Sequence, residues 1–487
     1  MLSNFGLASW ISNIRFSSLR YFHNISKSDR RKLMMSKFGP PIDRSMRSLD
    51  RSFFKKDIPM LVARFPDPVH LGQFVKVCKN DILCLPSIKH IVPLGNSKGV
   101  ILREDIEDID NHKNQVSELT LNKIHEYGII VEPYILELAY DFWRADDILR
   151  AILPENLLDD IPTGFAQAGH VAHLNLRDEF KPYGQLIGQV ILDKNPKIDT
   201  VVDKVDTIDT KFRTFQMKIL AGKDDLIVEQ SESGCKFRFD FSKVYWNSRL
   251  STEHDRLVSQ FNPKDAVCDV FAGVGPFAVP AGKKNVLVLA NDLNPSSYRY
   301  LLENITLNGV QDFVRPFNLD GRDFIQESPK LLQQWSEDSK VIEKKKLIKR
   351  RKIDPVTHEK KTTREYELTK VEIPRFFSDY VMNLPDSAIT FLDAFIGLYH
   401  GRDDVKKITG FKLPKIHVHC FEKFSPHDSE PSIEELNKRT YNRIIKILDF
   451  DIPFSEFSFH LVRKVAPTKP MFCVSFTLPE EVAFRAP

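Results

Sequence analysis

The strongest constraint on the fold is a glycine turn between an apolar strand and a helix. Residues 269–277 read Asp-Val-Phe-Ala-Gly-Val-Gly-Pro-Phe. Gly273 and Gly275 let the backbone approach a bound nucleotide more closely than any side chain would allow. Pro276 fits the first position of the following helix, whose N-terminus offers unpaired N–H groups and positive potential. The segment therefore predicts a nucleotide-binding turn but leaves the nucleotide open.

A second strand and helix are predicted directly after this turn. The apolar run 286–290 ends at Asn291 and Asp292. An acidic residue roughly 20 positions after a glycine turn is placed to accept hydrogen bonds from ribose hydroxyls. Asn294 is expected to cap a helix that ends at Gly309. Helical spacing predicts a core-facing stripe on it, formed by Tyr298, Leu301, Leu302 and Ile305.

Two more strand signals complete the pattern. Residues 314–318 lead into Asp320 and Gly321, a pair placed to receive the edge of an adenine ring, and residues 379–382 lead into Asn383-Leu384-Pro385. Successive βα units predict an α/β fold with a doubly wound, Rossmann-like parallel sheet. Ligands are then expected at the carboxyl ends of its strands.

Two classes of enzyme fit the glycine turn. The spacing Gly273-x-Gly275-x-x-Ala278 is also compatible with a nicotinamide-dependent dehydrogenase. However, Asp269 lies in the strand where dinucleotide folds usually have an apolar residue, and Asn-Leu-Pro after the fourth strand has no role in hydride transfer. Both features favour a methyltransferase that uses S-adenosylmethionine.

Six segments, in chain order, resemble the archaeal and eukaryotic tRNA (guanine-37-N1) methyltransferases. They are residues 212–213 with 220–222, residues 244–253, residues 269–277, residues 292–295, residues 320–322 and residues 383–385. Residues 462–467 are also similar to the closing hairpin of that family. The resemblance covers roughly residues 130–480 and implies a methyl transfer from S-adenosylmethionine to tRNA with guanine at position 37.

The implied reaction sets chemical requirements. N1 of guanine carries a proton at neutral pH, so a general base must lie within hydrogen-bond reach. Negative charge develops on O6 as this proton leaves, and a cationic donor there would stabilise the transition state. The resemblance assigns the base to Glu253, the O6 donor to Arg213, and the grip on the guanine edge to Asn383.

The resemblance also assigns the binding positions. Tyr245 and Arg249 would contact the flipped nucleotide and its phosphate, and Pro385 would shape the wall of the site. The positions expected to bind the methyl donor are His254, Asp269, Gly273, Gly275, Asp292, Leu293, Asp320, Gly321, Asn383 and Pro385. His254 departs from the pattern, because some relatives carry arginine there.

Each catalytic assignment has a structural alternative. Glu253 could be a carboxylate on the surface of a helix. Arg213 stands between Phe212 and Phe215, so it could be a strand arginine that packs by its stem. Asn383 could simply cap a helix that starts near residue 386.

Binding to tRNA should rely on phosphate contacts and on extruding the target base. The net charge of +4 is too small to prove it. Residues 344–352 form a dense basic run inside an expected insertion at about residues 329–373. This run is a direct tRNA contact, or else a solvated loop or a nuclear-import signal.

Metal and membrane chemistry are not indicated. The six cysteines are scattered without metal-ligand spacing. His417 and His419 alternate within residues 416–421, which predicts a sheet strand rather than a metal site. No apolar run is long enough to span a membrane. We therefore expect reduced thiols, no metal and no membrane partner.

The first residues are predicted to be a mitochondrial transit peptide, residues 1–34. They are rich in arginine, lysine and serine, and Asp29 is their only acid. Met34 and Met35 follow at once, so a second start could give an untargeted form. The expected location is the mitochondrial matrix and the cytoplasm, and the basic run leaves a nuclear pool open.

The remaining length predicts three domains. They are a small mixed α/β domain (35–125), a middle α+β domain (130–250) and a third domain (251–487). The resemblance implies that the first recognises tRNA and that the third is catalytic. The middle domain is expected to begin with a helix at residues 135–153 and to contain strands at residues 171–174 and 189–192.

Two other functions stay open at this point. One is an enzyme that moves the aminocarboxypropyl group of the same donor onto a tRNA base in wybutosine synthesis. The other is a non-catalytic tRNA-binding protein that kept the fold, although an intact donor turn argues against it. One chain suffices to contact one tRNA, so we expect a monomer.

Overall fold

A computed structural model describes residues 37–85, 88–208, 215–353, 360–427 and 429–486. Side chains are described throughout these ranges except at residues 205–208, 215, 344–353, 360–367 and 369. The predicted transit peptide and the predicted O6 donor, Arg213, lie outside the described residues.

Nineteen strands form among the described residues. They are β1 (Lys56–Phe65), β2 (Ile91–Leu94), β3 (Ser97–Ile101), β4 (Ile130–Leu138), β5 (Ala166–Ala168), β6 (Val171–Leu174), β7 (Thr200–Ile208), β8 (Phe215–Gly222), β9 (Ile227–Glu232), β10 (Cys235–Asp240), β11 (Ala266–Asp269), β12 (Leu287–Asn291), β13 (Val314–Phe317), β14 (Val341–Ile353), β15 (Lys360–Glu372), β16 (Asp379–Met382), β17 (Lys415–Phe421), β18 (Ser458–Ala466) and β19 (Lys469–Thr477).

Eleven α-helices accompany these strands in the described part of the chain. They are α1 (Leu71–Val77), α2 (His112–Gln115), α3 (Glu118–Glu126), α4 (Ala145–Ile152), α5 (Gly184–Lys194), α6 (Ser251–Gln260), α7 (Ala278–Lys283), α8 (Pro295–Leu307), α9 (Gly321–Asp338), α10 (Ile433–Leu448) and α11 (Glu480–Ala483). Short 3₁₀ helices occupy Pro68–His70, Lys79–Asp81, Tyr140–Phe142, Glu155–Asp160, Asp178–Tyr183, Ser248–Leu250, Ala388–Phe395, Asp403–Lys407 and Phe454–Glu456. Among the described helices, none is long and apolar enough to cross a membrane.

The chain divides into two compact units. The first comprises Met1–Phe165, Leu176–Lys197 and Leu220–Gly222, and the second comprises Ala166–Asn175, Ile198–Ile219 and Lys223–Pro487. The second unit holds the glycine turn, Glu253 and Asn383, so the candidate site is built within it.

The first unit contains an antiparallel sheet in the order β2–β3–β1–β4. The predicted helix at residues 135–153 is wrong in its first part, because β4 continues to Leu138 and pairs with β1 along its whole length. The helix begins only at Ala145. The predicted strand at residues 189–192 is also wrong, since it lies inside α5, where Val190 and Ile191 are buried.

The second unit is built on a seven-stranded sheet in the order β13–β12–β11–β16–β17–β19–β18. The strands from β13 to β17 are parallel, and β19 and β18 are antiparallel additions at one edge. The predicted doubly wound α/β fold is confirmed. So are the predicted strands at residues 171–174, 286–290, 314–318, 379–382 and 416–421, each within a residue or two.

Three details around this sheet differ from expectation. The helix after the glycine turn begins at Ala278 rather than at Pro276, because residues 276–277 form a turn. The buried stripe of α8 is rotated, so that Tyr300 is buried while Leu302 is 42% exposed. Pro329 does not start the insertion, because α9 continues through it to Asp338.

The insertion itself is a long antiparallel hairpin. Strands β14 and β15 pair in unbroken register from Val341–Glu372 to Ile353–Lys360. The basic run at residues 344–352 thus lies on β14 rather than in an irregular loop. The second unit also contains a sheet in the order β5–β6–β7–β8 and a ribbon formed by β9 and β10.

Candidate active site

The glycine turn joins β11 to α7 with two glycines in left-handed backbone conformations. Gly273 has φ +55° and Gly275 has φ +100°. A Cβ on Gly275 would lie 2.8 Å from Val279 Cγ2 and 2.9 Å from Leu301 Cδ1, whereas a Cβ on Gly273 would meet no atom within 4 Å among the described residues. Packing therefore leaves no room for a side chain at position 275. Gly273 faces open space in which a ligand can approach the backbone.

Asp292 holds this turn in place. Its Oδ2 accepts a hydrogen bond from the Gly273 backbone N–H at 2.9 Å, and its Oδ1 accepts one from the Asn294 N–H at 2.9 Å. Burial raises the pKa of Asp292 to about 6. The residue as a whole is half-buried, so part of it is accessible to a ligand.

Asp269 and Asn383 carry buried acceptors without partners. Asp269 is 0% exposed, and neither of its carboxylate oxygens has a hydrogen-bond partner in the described part of the chain. Burial, followed by the negative charge of Asp292, raises the pKa of Asp269 to about 8. The Oδ1 atom of Asn383 is likewise buried and unpaired among the described groups. Such acceptors are costly unless a ligand supplies donors.

Neighbouring strands bring these two residues to one edge of the sheet. Asp269 ends β11 and is the register partner of Val381 on β16, two positions before Asn383. Asn383 does not cap the following 3₁₀ helix, whose N-cap is Ser387. The structural alternative for Asn383 is therefore wrong.

The other expected donor-binding residues lie on the adjoining loops. Leu293 is exposed after β12, and Asp320 caps α9 by accepting a hydrogen bond from the Arg322 N–H at 2.9 Å. A Cβ on Gly321 would lie 2.9 Å from a ring atom of Phe271. Asn291, which sequence reasoning used only as the end of a strand, clamps these loops through side-chain hydrogen bonds to the backbone of Val270 and Leu319.

Glu253 is buried in α6 and is fully engaged by cationic groups. It is 3% exposed, so the alternative of a surface carboxylate is wrong. Arg256 binds it in a bidentate manner, with Nε 2.6 Å from Oε2 and Nη2 2.8 Å from Oε1. His419 Nε2 donates to Oε1 at 2.8 Å. Burial alone would raise the pKa of Glu253, but these two partners lower it to about 2.

His419 lies on β17, near the carboxyl ends of the strands, where Asn383 also lies. Val418 is the register partner of Met382, so His419 and Asn383 are the next residues of two neighbouring strands. Burial alone would lower the pKa of His419, but Cys473 and Glu253 raise it to about 10. Cys473, which faces His419 from β19, has its pKa lowered to about 6, mainly by the charge of His419 acting against burial.

Glu253, His419 and Cys473 also have the composition of a metal site. One ligand atom from each lies within 4.8 Å of the others. However, the guanidinium of Arg256 occupies both oxygens of Glu253 and also interacts with Cys473. Because a permanent cation already balances these anions, the group is better described as an ion-pair cluster, which we call the Glu253 cluster.

The remaining predicted residues are His254, Tyr245 and Arg249, together with Arg213, which lies outside the described chain. His254 is buried, hydrogen-bonds to Glu232 through Nδ1, and packs edge-on against Phe277 at 4.7 Å. Tyr245 is 51% exposed and Arg249 is exposed. The structure thus gathers Asp269, Gly273 and Asp292 tightly, whereas Arg213 lies outside the residues it describes.

Three residues close to Glu253 are not predicted from the sequence. They are Arg256, His460 and Cys473. Arg256 had a usable signal, because it lies one helical turn after Glu253. His419 was noticed only as part of a strand.

Comparisons with known proteins agree over nearly the whole chain. The model of the TRM5/TYW2 methyltransferase domain matches residues 228–334, and that of the TYW2 N-terminal domain matches residues 145–225. A relative from Candida albicans (strain SC5314) is 58% identical over 93% of this chain and 99% of its own length. One from Saccharomyces cerevisiae is 50% identical over 91% and 95%, and one from Schizosaccharomyces pombe is 53% identical over 91% and 96%. All three are named tRNA (guanine(37)-N(1))-methyltransferase.

Solved structures support the fold. The complex of aTrm5 and tRNALeu has a TM-score of 0.54 at 18% identity and covers 86% of this chain and 100% of that chain. Trm5b from Pyrococcus abyssi has a TM-score of 0.52 at 21% identity and covers 86% and 99%. At these identities the likeness extends to the fold alone.

Proposed function

Because the chain belongs to the tRNA (guanine(37)-N(1))-methyltransferase family, we propose that it transfers a methyl group from S-adenosylmethionine to N1 of guanine 37 in tRNA. The observation that carries this proposal in the molecule itself is the buried, ionised carboxylate of Glu253. It is held by His419 beside the sheet edge at which Asn383 presents an unpaired acceptor.

The proposed site for S-adenosylmethionine fits a nucleoside whose hydroxyl and ammonium groups donate hydrogen bonds. The carboxyl group of Asp269, which is mostly protonated at neutral pH and has no partner among the described groups, the carboxylate of Asp292 and the open space over Gly273 supply polar contacts and room. When bound, S-adenosylmethionine supplies a sulfonium methyl group as the electrophile. The residues proposed to hold it are His254, Asp269, Gly273, Gly275, Asp292, Leu293, Asp320, Gly321, Asn383 and Pro385.

The proton on guanine N1 is proposed to go to Glu253. This carboxylate is ionised at neutral pH, since its pKa is about 2, and its orientation is fixed by Arg256 and His419. Asn383 is proposed to accept a hydrogen bond from the guanine edge through its unpaired Oδ1. Arg213 is proposed to donate to O6 as negative charge develops there.

The tRNA is proposed to reach this site through exposed groups of the second unit. Tyr245 is exposed and offers a ring for stacking on an extruded base. Arg249 is exposed nearby in sequence and offers a phosphate contact. We propose that one monomer acts on one tRNA, in the mitochondrial matrix and in the cytoplasm, with a nuclear pool as a further destination.

The second candidate is aminocarboxypropyl transfer from the same donor. The match of residues 145–225 to a TYW2 N-terminal domain is the observation that keeps it in view. The ionised Glu253 favours methyl transfer, since guanine N1 must lose a proton before it attacks.

The test is transfer of radiolabel from the donor to unmodified tRNA transcripts with guanine or adenine at position 37, using the full chain. We expect label from the donor's methyl group on N1 of guanine only. Label from the aminocarboxypropyl side chain would instead support the second candidate. Glu253→Gln should lower the single-turnover rate by at least about 10²-fold without changing tRNA affinity. The matched control is Glu327→Gln, an exposed position on α9.

A further inference from the structure

A row of three side chains crosses the antiparallel edge of the large sheet beside Glu253. Cys473 on β19 is the register partner of His419 on β17 and of His460 on β18. Register partners on antiparallel strands place their side chains on the same face. The row therefore runs from the buried interior, at His419, to the outer strand of the sheet, at His460.

His460 is the exposed end of this row. Its Nε2 lies 3.5 Å from Glu253 Oε2, and its side chain is 45% exposed, whereas that of Glu253 is 2% exposed. Among the described groups around the carboxylate, His419 is fully buried and Arg256 is largely covered. His460 thus touches both the buried carboxylate and the solvent.

A proton taken up by Glu253 needs such an exit. The carboxyl group is enclosed, so water cannot collect the proton directly. Arg256 offers no acceptor, and His419 already carries a proton at neutral pH because its pKa is about 10. A carboxylate whose pKa is about 2 is also a weak base, so proton abstraction becomes easier when a stronger base takes the proton onward.

We propose that His460 relays the proton from Glu253 to solvent during methyl transfer. In this step the N1–H bond of guanine breaks and an O–H bond forms on Glu253. The O–H bond then breaks as His460 Nε2 gains the proton and becomes an imidazolium, which releases it to water. The inference rests on the proposed function, since it needs Glu253 to act as the base.

The charges around His460 suit this role. Glu253 and Arg256 face it from α6, His419 from β17 and Cys473 from β19. Burial and the positive charge of Arg256 lower the pKa of His460 below its usual value. The imidazole is therefore neutral at pH 7 and able to accept a proton, and it loses that ability in acid.

The experiment measures single-turnover methylation by the full chain between pH 5 and 8.5, with saturating donor and tRNA. His460→Ala should lower the rate constant at pH 7.5 by about tenfold or more and leave the dissociation constant for tRNA unchanged. Added imidazole should restore activity in proportion to its concentration, because the truncation leaves space beside Glu253. His400→Ala, an exposed histidine of the same unit, should match the wild type with and without imidazole.

The pH profile separates His460 from its neighbours. The wild-type rate constant should fall on the acid side, at a pH below the ordinary histidine pKa, and His460→Ala should lack this fall. A fall that persists in His460→Ala belongs to Cys473 or Asp292, whose pKa values are each about 6, and overturns the relay. An unchanged rate constant, or a loss that imidazole does not restore, also overturns it. If the wild type itself transfers no methyl group, the proposed function fails rather than the relay.

Discussion

His419 Nε2 lies 2.8 Å from Glu253 Oε1, although the two residues are 166 positions apart in sequence. The contact joins β17 to α6, the helix that precedes the glycine turn. It is fully buried, so its free energy depends on the protonation of both partners.

His419 should make the stability of the protein pH-dependent in alkali. A histidine whose pKa is raised to about 10 in the folded state stabilises fully below its unfolded value of 6.5 and loses this contribution as pH rises through about 10. The pKa of Cys473 is lowered to about 6, so the contribution of Cys473 to the stability of the folded protein increases between pH 6 and 9. This increase offsets the loss from His419 in that interval. The net fall is therefore expected between about pH 9 and 10.

The measurement is the thermal midpoint from pH 7 to 10.5 for the wild type and for His419→Gln. The variant should be less stable at pH 7 by about 3–5 kcal/mol, because Glu253 loses a buried partner. It should also lose less on going to pH 10. Parallel curves for the two proteins would show that His419 carries no charge in the folded state.

Asn383 should matter for activity and not for folding. Its Oδ1 is buried without a partner in the described structure, so Asn383→Ala removes an unsatisfied acceptor and should leave the free energy of unfolding unchanged or raised. The single-turnover rate should fall about tenfold, the equivalent of one hydrogen bond of about 1.4 kcal/mol. Asn291→Ala is the matched control, since its three side-chain hydrogen bonds predict a clear loss of stability. A destabilised Asn383→Ala with normal turnover would contradict this assignment.

The two glycines of the turn should respond differently to alanine. Gly275→Ala places a methyl group 2.8 Å from Val279 at φ +100° and should cost about 2 kcal/mol or more of stability. Gly273→Ala adds a methyl group in open space at φ +55°, so only backbone strain of about 1–2 kcal/mol is expected. That methyl group should nevertheless weaken donor binding, measured by calorimetry on the folded protein. Equal donor affinity in Gly273→Ala and wild type would show that the donor does not approach this backbone.

The outer part of the hairpin formed by β14 and β15, which carries the basic run, can be removed while the part next to the sheet is kept. Glu343 and Lys370 are register partners joined by an ion pair of 2.6 Å, so residues 344–369 can be replaced by a two-residue Asn-Gly turn. If the hairpin contacts tRNA, the dissociation constant should rise. The slope of log K against log salt concentration should become shallower by roughly 0.7–0.9 per lost phosphate contact. Unchanged binding would favour a solvated segment or a nuclear-import signal, and a fluorescent fusion of the hairpin can check the second of these. The control replaces only the basic residues of the run by glutamine: Lys344, Lys345, Lys346, Lys349, Arg350, Arg351 and Lys352.

The N-terminal segment should direct a passenger protein to mitochondria. Residues 1–34 fused to a fluorescent protein should enter the matrix, because they are rich in arginine, lysine and serine and contain a single acid. Arg15→Glu together with Arg20→Glu should abolish import. A form that starts at Met35 should remain in the cytoplasm. Cytoplasmic fluorescence of the unaltered fusion would remove the targeting proposal.

Local sequence signals were sufficient for the parallel part of the sheet. Asn294 and Pro295 start α8 as predicted, since a cap and a first-turn proline act within a few residues. Short apolar runs gave wrong predictions of secondary structure, because periodicity over four residues cannot distinguish a buried strand from a buried helix. Residues 189–192 therefore looked like a strand although they belong to α5.

The surroundings of Glu253 could not be predicted in the same way. Its partners His419, Cys473 and His460 come from three strands far along the chain, and their meeting depends on sheet order and register. The alternation of polar and apolar residues predicts each strand, but it does not predict which strand lies beside it in the sheet. The resemblance named the carboxylate, whereas the groups that set its pKa became evident only from the tertiary structure.

The strand order has a consequence for the synthesis of the protein. β19 lies between β17 and β18, so these two strands are connected in the sheet only after β19, which follows both of them in the chain, has been inserted. The row that ends at His460 can therefore form only after residues 469–477 have left the ribosome. A nascent chain that already displays the whole glycine turn therefore still lacks the row of side chains beside Glu253.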